Sequence, residues 1–134
     1  MDAAKCERLK SELSGQAIPL VAIERYFDGN DDEASIGCNL MKHPGIDAFR
    51  RALVGLTKRA DVEAVYALIS EVDPGQGVWP FTDTVVVFGR IAAHELKQLL
   101  RELEPDEVAP AREFGIADEV LSRHAAPALA AWWD

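Results

Sequence analysis

The sequence predicts an α+β fold, a small antiparallel sheet with helices packed mainly on one face, in a single domain over residues 1–134. Three observations predict it. Two apolar runs, 61–72 and 84–88, read as strands, with Asp73-Pro74-Gly75-Gln76-Gly77 breaking the chain between them. Their connection of about ten residues suits antiparallel neighbours, because a parallel crossover needs a longer path. Helical apolar spacing flanks the pair at 46–59 and 91–103.

The elements follow in order. Ala3, Cys6, Leu9 and Leu13 recur at helical spacing, and Gly15 is a stop. Pro19 precedes Leu20, Ile23 and Phe27, with Gly29 beyond; proline at the entrance and glycine past the exit favour a short helix over a strand here. Residues 28–39, DGNDDEASIGCN, form a loop, with a brief strand in 35–38 as an option. His43-Pro44-Gly45 opens the clearest helix, in which Ile46, Phe49, Leu53 and Leu56 share a face. Asp47 in its first turn and Lys58 and Arg59 at its end suit the helix dipole.

In the first strand both faces are apolar, Val65, Ala67 and Ile69 alternating with Ala64, Tyr66 and Leu68. The second, Thr84-Val85-Val86-Val87-Phe88, is apolar throughout and therefore central. The helix over 91–103 follows and ends before Pro105. A short helix is expected in 117–124, and the tail ALAAWWD reads as an edge strand.

Composition narrows the function. The chain has 134 residues, 49% of them hydrophobic and 28% charged, the balance of a globular protein. Lys and Arg number 14 against 23 Asp and Glu, a formal net charge of -9. A nucleic-acid binder relies on basic side chains to displace counterions from phosphates, so this balance speaks against nucleic acid. No apolar run approaches the roughly 20 residues that cross a bilayer, and no membrane partner is expected. The start, MDAAKCERLKSELSG, lacks the apolar core of a secretory signal, which points to the cytoplasm. Cys6 and Cys38 are then free thiols; with His43, His94 and His124 they show no metal-binding spacing, and no metal or cofactor is expected. Walker, GxGxxG, GxSxG and HExxH patterns are absent.

The most unusual feature is the crowding of Asp28, Asp31, Asp32 and Glu33. Asp28, Asn30 and Asp32 match the first three ligand positions of a calcium-binding EF-hand loop, but Glu33 stands where that loop needs glycine and Asn39 where it needs a bidentate glutamate. A solvated turn capping its own backbone is the better reading. His43 reads as a helix cap, and Cys38, in acidic surroundings, as a small buried residue. Asp83 and Glu95 lie near strand ends, with nothing to show that they meet. Trp79 and Phe81, in the loop between the strands, either anchor a partner or cover the core. Trp132 and Trp133 pose the same choice, since a strand sends one ring inward and the next outward.

The strings FDGNDDEASIGCNL, HPG, WPFTDTVVVFG and the closing WWD resemble an uncharacterised bacterial domain family with an aromatic-glycine-Asn-Asp segment, a Trp-Pro-Phe-x-Asp-Thr segment and a Trp-Asp ending. The resemblance covers most of the chain and implies no catalytic residues. In size and acidity the chain is similar to immunity proteins that neutralise bacterial toxins. The leading expectation is a protein-binding module for a basic partner, docking through Asp28, Asp31, Asp32, Trp79 and Phe81. The alternative is a small hydrolase or transferase using the 28–33 loop with His43 and a divalent cation. A third is a homo-oligomeric structural protein, a homodimer for example, with Trp132 or Trp133 in the contact.

Overall fold

The computed structural model describes residues 1–134. Five strands, β1 (Leu20–Ala22), β2 (Val62–Glu71), β3 (Phe81–Gly89), β4 (Glu107–Pro110) and β5 (Ala128–Trp132), form one sheet in the order β1-β2-β3-β5-β4. Every pair is antiparallel. The helices are α1 (Ala3–Ser14), α2 (Ile23–Phe27), α3 (Ile46–Leu56), α4 (Ala93–Leu99) and α5 (Asp118–Leu121). The fold class is the expected α+β.

β3 is the central strand, and its uninterrupted apolar run follows from being covered on both sides. Val85 and Val87 face the larger core, with Cys6, Leu9 and Leu13 of α1, Ile23 and Phe27 of α2, Phe49 and Leu53 of α3 and Leu96 of α4. Val86 and Phe88 face a smaller core closed by Ala111 and by Val120 of α5. Four helices therefore cover one face, while α5 and a 3-10 turn over Ala111–Phe114 cover part of the other.

The chain departs from expectation in several elements; β4 had no signal in the sequence, and α3 ends at Leu56, before Lys58 and Arg59. Leu20–Ala22 is a strand, and the helix begins only at Ile23. Leu20 pairs with Leu68 and Ala22 with Tyr66. Leu20 and Val21 are both buried because they point to opposite, covered faces, a pattern that mimics a buried helix turn. The tail strand is not an edge: β5 lies between β3 and β4. Its alanines fit an interior slot, and the edge falls to β4, where Glu107 and Pro110 discourage further pairing. The helix expected over 91–103 is α4 followed by a 3-10 turn over Arg101–Leu103.

Trp133 is buried, its Nε1 donating to the Leu103 carbonyl at 2.8 Å. Trp132 is half-buried. Lys10 is also buried; its ammonium donates to Asp73 at 3.0 Å and to the Gly75 carbonyl at 2.7 Å, which fastens the turn between β2 and β3 onto α1. No helix is long and apolar enough to cross a membrane.

Candidate functional site

The acidic loop is explained first by what it holds. Gly29 has φ +83°, and a Cβ there would stand 2.9 Å from Asp2 Cβ and from Lys5 Cδ, so only glycine lets the loop lie against α1. Asn30 is fully buried; its amide oxygen accepts the Asp32 N–H at 2.9 Å and its NH2 donates to Ser35 Oγ at 3.0 Å. Arg50 of α3 donates to the Phe27 and Asn30 carbonyls at 3.2 and 2.6 Å.

The three loop aspartates have partners within the chain. Asp28 accepts from the Lys5 ammonium at 2.6 Å, and Asp31 from the Met1 ammonium at 2.6 Å. Asp32 accepts the Ala34 N–H at 3.1 Å and the Trp79 N–H at 3.3 Å. This is the self-capping turn, and no three His, Cys, Asp or Glu side chains gather closely enough to hold a metal ion.

The hydrogen bond from Lys5 holds the Asp28 carboxyl below its usual range, that from Met1 does the same for Asp31, and that from Arg59 for Asp61. A carboxyl depressed in the folded state stabilises the fold above its unfolded value and loses that contribution as pH falls towards its folded value. The melting temperature is therefore expected to hold at neutral pH and to fall as pH drops below about 4. Lys5→Met should shallow that fall. These pairs are exposed, so raising the salt should shallow it too. Thermal scans from pH 7 to pH 2.5, on both proteins at low salt and on the wild type again at high salt, measure both effects.

Beyond the acidic loop the chain builds a cleft. A 3-10 turn over Glu33–Ser35 leads to Ile36, which bridges Thr82 of β3 in parallel. That single bridge replaces the brief strand expected in 35–38. The buried Tyr26 hydroxyl shares its proton between the Ser35 and Pro80 carbonyls, at 2.9 and 2.8 Å, and burial pushes its pKa up. It ties the approach to Ile36 to the approach to β3. Gly37 has φ +65°, and a Cβ there would stand 2.7 Å from Phe49 Cζ. His43 does not cap α3, which starts at Ile46 with Gly45 as its N-cap and no side-chain cap: its Nε2 donates to the Ile36 carbonyl at 2.8 Å, and its Nδ1 accepts the Gly45 N–H at 3.0 Å, ahead of the helix. With both ring nitrogens engaged by backbone, it has no free base to offer the loop.

The cleft encloses about 140 Å³. Cys38 and Asn39 lie on one side, Phe81 and Asp83 of β3 on another, and Trp133 and Asp134 on a third. Asn39 joins two sides by donating to the Asp134 carbonyl at 3.0 Å. None of its 11 lining residues is basic, and its charged groups are the carboxylates of Asp83 and Asp134. At about 30 Å³ per molecule, the space equals on the order of five waters. Cofactors and drug-sized ligands need roughly 300–1,000 Å³. The cleft suits one side chain or a group of that size.

Two expectations change at this site, those for Trp79 and Cys38. Trp79 is not a surface anchor: it is 0% exposed, packed in the larger core. The loop carrying it folds back because Lys10, Cys6 and Asp32 bind its backbone at Gly75, Val78 and Trp79. Phe81 is half-exposed and lines the cleft. Cys38 is exposed, not buried, because the turn at Gly37 sends it outward; Cys6 is the buried thiol. Asp83 lines the same cleft as Asp134, while Glu95 pairs with Arg59 at 3.2 Å. Asn39, Ser70 and Asp134 had no signal of their own in the sequence. The strings SIGCN, FTD and WWD, singled out there for their pattern, converge on this cleft.

Fold and cleft together define a class: an acidic α+β scaffold whose sheet end carries a recess of side-chain size. The chain belongs to the YfbO family, whose model, described as the uncharacterized protein YfbO family, matches residues 4–133. It is 25% identical over 121 residues to the uncharacterized protein YfbO of Escherichia coli (strain K12), covering 87% of this chain and 83% of that one. The expected membership of an uncharacterised bacterial family agrees with this match. No solved structure matches the chain.

Proposed function

We propose that this protein is a cytoplasmic protein-binding module that docks a basic partner, in the manner of an immunity protein. The cleft carries the reading: a recess of about 140 Å³ with two carboxylates, an aromatic wall and no basic residue. Such a site complements a lysine or arginine side chain, whose apolar stem packs on Phe81 while its charged head meets Asp83 or Asp134. The net charge of -9 adds long-range attraction for a basic protein. Asp28, Asp31 and Glu33 precede the cleft's lining, which begins at Ala34, and add negative charge on the same loop, with Asp28 and Asp31 already partly neutralised by Lys5 and Met1. Asp32 supports the loop from within.

Asp83→Lys tests it. Asp83 is exposed and bonds only the neighbouring Thr84 hydroxyl through its side chain, so the variant should fold with an unchanged melting temperature. Wild-type and variant protein are immobilised and exposed to extract of the native cells, and the retained proteins are identified by mass spectrometry. A basic protein retained by the wild type should associate with the variant about tenfold more slowly or escape it, and its wild-type association rate should fall with salt. Equal retention on both surfaces would exclude the cleft as the docking site.

A further inference from the structure

A second cavity lies away from the cleft, between α2, the end of α3 and the β2 face that bears Tyr66. It encloses about 420 Å³, within the range that holds small ligands. Its polar centre is a pair: His124 Nε2 lies 2.8 Å from the Tyr66 hydroxyl. Aromatic packing fixes the pair. The His124 ring centre is 4.8 Å from that of Phe88 and 5.7 Å from that of Tyr66, while Phe88 meets Tyr66 edge-on at 5.9 Å. Arg123 stands 5.9 Å from the Tyr66 ring centre but does not line the cavity.

The lining selects a ligand class. Glu24 and Glu63 contribute carboxylates, and no Lys or Arg lines the space. The protein's ion pairs engage neither glutamate. Ala22 and Ala64 supply an apolar wall, while the Val65 side chain is buried in the larger core. The bond to His124 uses one hydrogen-bonding position of the Tyr66 hydroxyl, which leaves a lone pair or its proton for a guest. An anion would meet two carboxylates, and a purely apolar guest would leave the hydroxyl and the glutamates unanswered. A small organic cation satisfies the carboxylates and the hydroxyl: its N–H donates to the carboxylates and to the Tyr66 oxygen, and a short alkyl body lies on the alanines.

We infer that this cavity is a binding site for a small primary ammonium compound, independent of the docking cleft. The Tyr66–His124 pair is held before the ligand arrives, so little ordering is lost on binding.

n-Butylammonium chloride is the probe, with sodium butyrate and n-butanol as charge-reversed and neutral controls, each followed by NMR at the His124 ring proton and the Tyr66 ring. The ammonium should move both resonances along a saturating curve, and neither control should do so at equal concentration. Glu24→Gln with Glu63→Gln, both exposed positions, should weaken the affinity at least tenfold, whereas Asp83→Lys should leave it unchanged. Tyr66→Phe should fold and bind more weakly. Shifts that rise linearly without saturation, shifts of equal size with butyrate or butanol, or an unchanged affinity in the double variant would each overturn the site.

Discussion

Trp79→Ala should lower the free energy of unfolding by about 3–5 kcal/mol, the cost of emptying a large aromatic site in a packed core. Trp79 is fully buried in the cluster that joins α1 to β3. Domains of this size are stable by about 5–15 kcal/mol, so the variant should be marginal or unfolded at growth temperature. Its indole Nε1 is the one buried side-chain polar atom without a hydrogen-bond partner. An orphaned donor of that kind costs about 1–3 kcal/mol. Trp79→Phe removes the donor along with part of the ring, so the two effects oppose each other and the loss should be well below that of the alanine variant. Urea denaturation of the three proteins measures both differences. An alanine variant within about 1 kcal/mol of wild type would show that the ring fills no essential space.

The contrast between Trp79 and the strands shows which features a sequence can express. β2, β3 and α3 were legible because their signals are local: alternating or continuous apolar runs, a Pro-Gly break, and a helix opened by His43-Pro44-Gly45. The place of β5 between β3 and β4 was not, because strand order is decided by pairing between distant segments, and ALAAW reads the same at an edge or inside. The choice between surface and core for Trp79 turned on Lys10, Cys6 and Asp32, which grip its loop from far along the chain. The acidic loop was legible as composition and as a self-capping turn. The engagement of Asp28 by Lys5 and of Asp31 by Met1 depends on how α1 lies against the loop, and no spacing within residues 28–33 encodes that. Asp83 stood out as a carboxylate beside a strand, but its place in one cleft with Asp134 follows from the β3–β5 register, in which Thr84 faces Trp132.

Tyr26→Phe should destabilise the fold by about 1–3 kcal/mol, because the ring stays and two buried carbonyls lose their shared donor. Its second consequence separates this variant from an ordinary core change. The hydroxyl links the Ser35 carbonyl, on the wall that carries Cys38 and Asn39, to the Pro80 carbonyl, on the wall that carries Phe81 and Asp83. With that link cut, the walls are held by the single bridge from Ile36 to Thr82 and by the bond from Asn39 to the Asp134 carbonyl. Local opening should then become easier at the cleft than elsewhere. Amide hydrogen exchange should accelerate at residues 36–39 and 81–83 by more than the global loss explains, while the pairing of β3 with β5 keeps its relative protection. A uniform acceleration matching the denaturation result would mean that Tyr26 stabilises the whole fold without shaping the recess. A cleft-confined effect, together with weaker retention of a basic partner, would show that a buried hydroxyl sets the width into which that partner's side chain must fit.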